Sequence, residues 1–394
     1  MRGIAGRSRP AWGRAGQRWG ALLAGAAACW ALLGTAAPVR ADTVVLQDGT
    51  RLEGKIVLEE RAGPVTLQLP DGERRTVARA RIARLEREEP ASAYVRLVRY
   101  REGWSRLETA IVTLVHRETG QQVSLVGVVH IGDPAYYREL QRRLDGHDLV
   151  LFEGVGADSS ADISGMQLPD AEARRRELER GAAGPAPFAD EVPALDPLSR
   201  LQSFMGEVLD LSFQKDGIDY RRSWWKPADV TGEELLRLLA EQDFDALELL
   251  RQAVDQRARA ELEGAVVRAL QSLAESLVTG KPLRIVLKEA FGELLAVQMA
   301  ELGQAGTEEG PRLDPFNAAI ILGRNQVAEQ KVLQALRIED ARRIALFYGA
   351  GHMPDLERRL EHHGLTRAAV EWLPAWDMRW EGRPLWERFR RERR

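Results

Sequence analysis

Two histidines that share a local sequence context define the candidate chemistry of this chain. The two segments are Gly127-Val128-Val129-His130 and Gly349-Ala350-Gly351-His352. An apolar, β-rich run precedes each segment, and a predicted helix follows each one. Glu153 closes a further apolar run, Leu149-Val150-Leu151-Phe152, where an unpaired carboxylate would be costly. Two imidazoles and one carboxylate can bind a catalytic divalent metal ion that keeps an open position for water.

This residue set has two mechanistic interpretations. In the first, His130, Glu153 and His352 bind Mn, Co or Zn, and the ion lowers the pKa of a bound water for attack on a carbonyl. In the second, one histidine acts as a general base on water and no metal is needed. We predict that the remaining histidines are structural or surface residues: His116, His147, His362 and His363.

An arginine lies on the apolar face of a helix that is predicted to begin at Asp314-Pro315. The residues three and four positions before and after Arg324 are all apolar. Its charge therefore needs an anionic partner, because an unpaired charge in apolar surroundings is unfavourable. One interpretation is a structural ion pair. The other is that Arg324, with Asn325 beside it, reaches the crevice to orient Glu153 or a substrate oxyanion.

The elements that carry these residues predict an α/β main domain over residues 95–376. The order strand, Gly-x-x-His, helix, strand, Glu occurs at 122–153 and again at 343–371, where the last residue is Glu371. Duplicated halves around a mixed sheet would place both turns at the carboxyl ends of strands, where open sheets keep their crevices. The remaining predicted segments are a mobile insert at 154–198 with a charged helix at 171–180, a helical region at 199–304 and a C-terminal tail at 377–394.

Residues 42–90 predict a separate, small all-β module of the SH3-like or Sm-like barrel type. Five short β-type runs occur here, and Asp48-Gly49 and Asp71-Gly72 lie between neighbouring runs as hairpin signals. The segment contains no histidine, and we assign it no chemistry. We expect it to fold without pairing into the main sheet and to bind a protein partner. The alternative is a packing extension of the main domain.

Composition restricts the classes of partner. Hydrophobic residues make up 44% and charged residues 29% of the 394 residues, which is typical of a globular protein. The net charge of −3 disfavours a nucleic-acid binder. The single cysteine, Cys29, excludes a disulfide framework and a cysteine-based zinc site.

Residues 1–41 have the pattern of an export signal. Several arginines and no acids precede an uncharged stretch at 19–39, and Val39 and Ala41 provide small side chains at positions −3 and −1 of a cleavage site. We expect cleavage before Asp42 and a periplasmic or secreted mature protein. The alternative is an uncleaved membrane anchor formed by residues 19–39.

Four motifs, taken in order, resemble the TraB/PrgY/GumN family. They are Leu125-Val126-Gly127-Val128-Val129-His130, Leu151-Phe152-Glu153, Gly323-Arg324-Asn325-Gln326 and Tyr348-Gly349-Ala350-Gly351-His352. That family is related to the Tiki proteases and more remotely to erythromycin-esterase-like and ChaN-like proteins. The resemblance covers roughly residues 95–375 and implies an α/β fold with paired Gly-x-x-His turns. In Tiki proteins it implies metal-dependent peptidase activity on secreted signalling proteins.

The resemblance also places individual residues. His130, Glu153 and His352 occupy the matching motif positions, and Arg324 and Asn325 occupy the matching Arg-Asn pair. The sequence therefore predicts an exported metal-dependent hydrolase, a peptidase that acts on an extracytoplasmic peptide or protein. Two alternatives are a non-catalytic protein that holds a peptide signal or a metal complex in the same crevice, and an inactive scaffold whose N-terminal module does the binding.

The predicted export signal at residues 1–41, the leader, gives a first testable expectation. When the full chain is exported by a bacterial host, N-terminal sequencing of the recovered protein should begin at Asp42. An Ala41→Tyr variant should keep its leader, because signal peptidase requires a small side chain at position −1. Recovery of the unaltered chain with residues 1–41 attached, in the membrane fraction, would support the anchor instead.

Overall fold

A mixed α/β arrangement is present in the computed structural model, which describes residues 42–69, 71–86, 94–100, 103–155, 161–180, 206–240, 276, 280–304 and 319–380. Its strands are β1 Asp42–Leu46, β2 Arg51–Glu60, β3 Val65–Gln68, β4 Arg74–Val77, β5 Ile82–Glu86, β6 Val95–Arg99, β7 Ser105–His116, β8 Gln122–Val128, β9 Ile131–Gly132, β10 Leu149–Phe152, β11 Ser212–Phe213, β12 Trp225–Pro227, β13 Arg343–Gly349 and β14 Leu365–Met378. Its helices are α1 Pro134–Leu144, α2 Ala171–Arg180, α3 Gln214–Gly217, α4 Gly232–Ala240, α5 Leu283–Gln304, α6 Arg324–Ala335 and α7 Met353–His362. Within these ranges, every helix is too short or too polar to cross a bilayer.

A large mixed sheet positions the candidate residues. Its strand order is β12-β10-β13-β8-β7-β14-β2-β1-β5, with β6 paired to β7. The first four strands run parallel, and the strands from β7 onward are antiparallel to their neighbours. The central parallel strands are almost continuous apolar runs because helices cover such strands on both faces. All four parallel strands therefore end at one edge of the sheet.

The two turn-bearing strands are direct neighbours. Strand β13 pairs in parallel with β8, and Gly349 lies opposite Val128. After each strand comes an amphipathic helix, α1 after β8 and α7 after β13, and each helix buries one apolar stripe.

The correspondence between the two halves ends at the next strand. Strand β10 joins the parallel half of the sheet, whereas β14 runs antiparallel to β7. Glu371 consequently lies away from the turns and forms an ion pair with Arg143 of α1.

The region between the halves differs in part from its predicted form. Helix α2 spans the predicted residues 171–180. The region 199–304 is not wholly helical, because β11 and β12 lie within it. Strand β12 has only three residues and ends in Pro227, so it is too short to show the alternation of polar and apolar residues that predicts a strand. It is a strand because it pairs with β10. Residues 156–160, 181–205, 241–275 and 314–318 lie outside the described residues.

The N-terminal strands have their own small core but are not separate from the main sheet. Strands β1 to β5 follow the order β4-β3-β2-β1-β5, and a cluster of buried apolar residues lies between them, including Val44, Ile56 and Leu67. Strand β2 also pairs with β14, with Glu59 opposite Val370. The prediction of no pairing with the main sheet is therefore wrong. Strand β14 has 14 residues, and β2 satisfies backbone groups on its second edge that would otherwise lack a strand partner.

A buried ion pair joins these strands to the main domain. Arg96 of β6 donates from Nε and Nη2 to Glu108 Oε2, at 2.9 and 2.8 Å. Arg96 Nη2 also donates to the carbonyl oxygen of Ile56 in β2, at 2.9 Å, and its guanidinium carbon lies 4.1 Å from the centre of the Trp372 ring in β14. Both charged side chains are buried, so each needs the other.

The chain end also departs from its predicted boundary. Strand β14 continues to Met378, and Asp377 forms an ion pair with Arg106, so the predicted tail at 377–394 starts inside a strand. Residues 381–394 lie outside the described part of the chain.

Arg96 and Glu108 provide a stability test. Arg96→Met should lower the free energy of unfolding by about 3–5 kcal/mol, because it leaves the Glu108 carboxylate buried without its cation. The double variant Arg96→Met, Glu108→Met should recover much of that loss, since no buried charge remains. Urea unfolding of the unaltered chain, of Arg96→Met, of Glu108→Met and of the double variant measures these effects. A double variant that loses the sum of the two single losses would contradict the coupling.

Candidate functional site

Four adjacent parallel strands each lead into one candidate site residue. In sheet order, β8 leads to His130, β13 to His352, β10 to Glu153 and β12 to Asp229. Such an edge is where open α/β sheets place their crevices, because the chain leaves the sheet there in loops of adjustable shape. Asp229 was not among the predicted residues.

Glu153 is held at both carboxylate oxygens. Arg324 Nη2 donates to Oε1 at 2.5 Å, and the backbone N–H of Gly349 donates to Oε2 at 2.6 Å. Burial alone would raise the pKa of Glu153, but the charge of Arg324 and the hydrogen bond from the Gly349 N–H outweigh it and lower the pKa well below its ordinary value. Glu153 is thus a fixed anion at any ordinary pH.

Arg324 bridges two acids. Its Nε donates to Asp229 Oδ1 at 2.9 Å, and its Nη2 donates to Asp229 Oδ2 at 2.6 Å as well as to Glu153. Asp229 is fully buried and also accepts the backbone N–H groups of Gly154 and Val230, at 3.0 and 2.8 Å. Burial opposes the arginine charge, but the two carboxylates raise the pKa of Arg324 well above its ordinary value. The predicted contact between Arg324 and Glu153 is therefore present.

The sequence offers little signal for Asp229. Glu153 directly follows the apolar run Leu149–Phe152, whereas the charged Lys226 lies between Trp225 and Asp229. The assignment of 199–304 to helices also hid Asp229, because it placed no strand before this residue.

Asn325 fixes the proton of His352. Asn325 Nδ2 donates to the carbonyl oxygen of His352 at 3.2 Å and to Asp355 Oδ2 at 2.9 Å. Both partners are acceptors, so the amide orientation is determined, and Oδ1 faces His352 Nδ1 at 2.7 Å. Nδ1 must then carry the proton, and Nε2 presents a lone pair. Asn325 acts through His352, since all of these bonds go to His352 and Asp355.

The lone pair of His352 faces a second acceptor. His352 Nε2 lies 3.7 Å from Glu153 Oε1. Burial lowers the pKa of His352 to about 4, although the Glu153 charge acts in the opposite direction. The ring is consequently neutral at pH 7 and offers no proton to Glu153 from Nε2.

His130 lies near Glu153 and His352, on the solvent-exposed side of the site. Its Nδ1 lies 2.9 Å from Gln214 Oε1, and its side chain is exposed. A Cβ atom placed on Gly349 would be 3.1 Å from Glu153 Oε2 and 3.6 Å from His352 Cδ2. The same position is 3.9 Å from His130 Nε2. Gly349 therefore keeps clear a space that all three side chains border.

Helix α6 delivers Arg324 and Asn325 as its first two residues. A π-helical turn, Ala319–Gly323, precedes it. Such turns are uncommon and occur frequently at functional sites. A Cβ atom on Gly323 would be 2.8 Å from Leu238 Cδ1, so the glycine lets α4 pack close to this turn.

The other four histidines lie outside this group. His147 contacts Ser124 Oγ and the carbonyl oxygen of Arg143, and burial lowers its pKa. His116 contacts Thr119, His363 contacts Glu329, and His362 is exposed on α7.

The donor chemistry of the site suits a divalent metal only in part. In the portion of the chain that the structure describes, no group of three or more His, Cys, Asp or Glu side chains is arranged to hold a metal ion. Two ligand atoms that are each about 2.1 Å from one ion lie at most about 4.2 Å apart. The 3.7 Å between His352 Nε2 and Glu153 Oε1 is within that limit.

In comparisons with known proteins, no family model, no curated protein and no solved structure matches this chain.

His352 should make stability depend on pH. Unfolded imidazole titrates near 6.5, whereas the pKa of native His352 is about 4, so between these values the unfolded state binds the extra proton. The free energy of unfolding should therefore fall by about 2 kcal/mol as the pH drops from 7 to 5 in chelator-containing buffer.

Urea unfolding at pH 7, 6 and 5 measures this effect. In His352→Gln the free energy of unfolding should fall less between pH 7 and pH 5. Any pH dependence that arises from His147 is the same in both chains. An identical pH dependence in the two chains would exclude His352 as its source.

Proposed function

We propose that the protein is a metal-dependent hydrolase, a peptidase whose substrate is an extracytoplasmic peptide or protein. The observation that supports this most is the approach of two acceptors, His352 Nε2 and Glu153 Oε1, at 3.7 Å. Two acceptors at this distance repel each other unless a proton, a hydrogen-bond donor or a cation lies between them. A divalent cation satisfies both.

The way the two imidazoles are held supports a cation as well. In each ring, a side-chain amide oxygen lies against Nδ1, which leaves Nε2 free of that contact on the other side of the ring. Metal-binding histidines are commonly held in this way, with a hydrogen bond at the ring nitrogen that does not bind the metal.

His130, Glu153 and His352 would hold Mn, Co or Zn. When bound, such an ion lowers the pKa of a coordinated water and polarises a carbonyl group. The residues of this chain supply the fixed surroundings: Arg324 and the Gly349 amide orient the Glu153 carboxylate. Asp229 in turn fixes the guanidinium plane of Arg324. The exposed His130 borders the side from which a substrate would approach.

The parts of the chain around the site would have roles in the same function. The two Gly-x-x-His turns, at 127–130 and 349–352, would be a duplicated pair of the kind that the resemblance to the TraB/PrgY/GumN family implies. Residues 1–41 would direct export, and residues 42–90 would form a small barrel that binds a protein partner.

Metal analysis followed by a protease assay tests the function. The purified full chain should retain a divalent metal, and it should cleave unfolded protein substrates in the presence of Mn, Co or Zn but not with a chelator. His352→Gln should abolish both. Metal binding without cleavage of any substrate would instead favour the non-catalytic binding protein, and cleavage that resists chelators would favour a histidine general base.

Arg324 provides a second test of the same proposal. Arg324→Lys keeps the charge but loses the planar fork that joins Asp229 and Glu153. Hydrolysis should fall by about 100-fold, a loss typical of a misplaced group that stabilises charge in the transition state. The measurement is kcat/KM together with the melting temperature.

Arg96→Lys is the matched control, since Arg96 is also buried and donates twice to one carboxylate. It should lower the melting temperature and leave kcat/KM unchanged. If Arg324→Lys melts normally and keeps full activity, Arg324 has no part in the mechanism.

A further inference from the structure

Each imidazole of the candidate site is held by the side-chain amide of a residue from another part of the chain. Asn325 holds His352, as described above, and Gln214 holds His130. Gln214 is buried, whereas the ring that it holds is exposed. A buried polar side chain that contacts an exposed ring restricts that ring more than solvent would.

The backbone aligns Gln214 with His130. Strands β9 and β11 form a two-stranded ladder in which Phe213 lies opposite Ile131. One position further, the N–H of Gln214 donates to the carbonyl oxygen of His130 at 2.8 Å. The segment around β11 therefore sets both the backbone and the side chain of Gln214 against His130.

The remaining end of the Gln214 amide is also occupied. Its Nε2 donates to the hydroxyl of Tyr220 at 2.9 Å. The Tyr220 ring packs edge-on against Phe152 of β10, with centroids 5.2 Å apart, and near Phe347 of β13. The amide is thus anchored to the two strands that carry Glu153 and the Gly349 turn.

We propose that Gln214 is a positioning residue that holds His130 with the proton on Nδ1 and the lone pair on Nε2. With Nε2 unprotonated, His130 presents an acceptor on the Gly349 side, as Asn325 makes His352 do. Gln214 and Asn325 are then equivalent supports for the two rings. The use of these lone pairs to bind a metal rests on the proposed function, but the proton position does not.

The tautomer of His130 is directly measurable. Two-dimensional ¹⁵N–¹H spectra of metal-free full-length protein at pH 8 distinguish a protonated from an unprotonated ring nitrogen, and His130→Gln assigns the signals. The unaltered chain should show a protonated Nδ1 and an unprotonated Nε2 for His130. In Gln214→Met this preference should be lost, while the His352 signals stay unchanged.

A matched variant controls for loss of a buried amide. Gln121 is also buried, and its Nε2 donates to the carbonyl oxygens of Ile338 and Ala341. Gln121→Met should lower stability without altering either histidine. A protonated Nε2 on His130 in the unaltered chain, or a protonated Nδ1 that persists in Gln214→Met, would overturn the proposal even if Gln214→Met is unstable.

Metal titration separates this inference from the proposed function. If the unaltered chain binds Mn²⁺ or Zn²⁺, Gln214→Met should bind it 10- to 100-fold more weakly, a typical loss for the group that supports a metal-binding histidine. Gln214→Glu keeps an acceptor toward Nδ1 and should restore the affinity. If the unaltered chain binds neither ion, the metal-dependent function fails, and the proton position on His130 still decides the role of Gln214.

Discussion

A buried arginine between two carboxylates is the interaction on which the candidate site depends. Arg324 lies at the start of α6, and its partners Asp229 and Glu153 follow two neighbouring strands of the parallel sheet. A guanidinium in this position would be unstable without both acids, and each acid would be unstable without the guanidinium. The three groups therefore hold the helix, the sheet edge and the glutamate in one geometry.

The parallel half of the sheet explains how residues from distant parts of the chain come together at the candidate site. Strands β8, β13, β10 and β12 end at one edge, so one residue after each strand is enough to bring two imidazoles and two carboxylates together. Gly349 leaves the space between them clear. Each imidazole ring also contacts a side-chain amide, so a protein group restricts the orientation of both rings.

The antiparallel half has a different role, since it joins the N-terminal strands to the main domain. Strand β14 pairs with β7 along one edge and with β2 on the other. The Arg96–Glu108 pair lies across this junction, with Ile56 on one side and Trp372 on the other. A segment with its own apolar core is thereby attached to the main domain through backbone hydrogen bonds and a buried ion pair.

The sequence by itself determined the features that depend on a few neighbouring residues. The strand ends before His130, Glu153 and His352 follow from short apolar runs, and the need of Arg324 for an anion follows from its apolar helix face. Asp229, Gln214 and the β2–β14 pairing were decided only by the tertiary structure. Their partners lie far away along the chain. A three-residue strand such as β12 is too short to show an alternation of polar and apolar residues, and a single buried amide forms no sequence pattern at all.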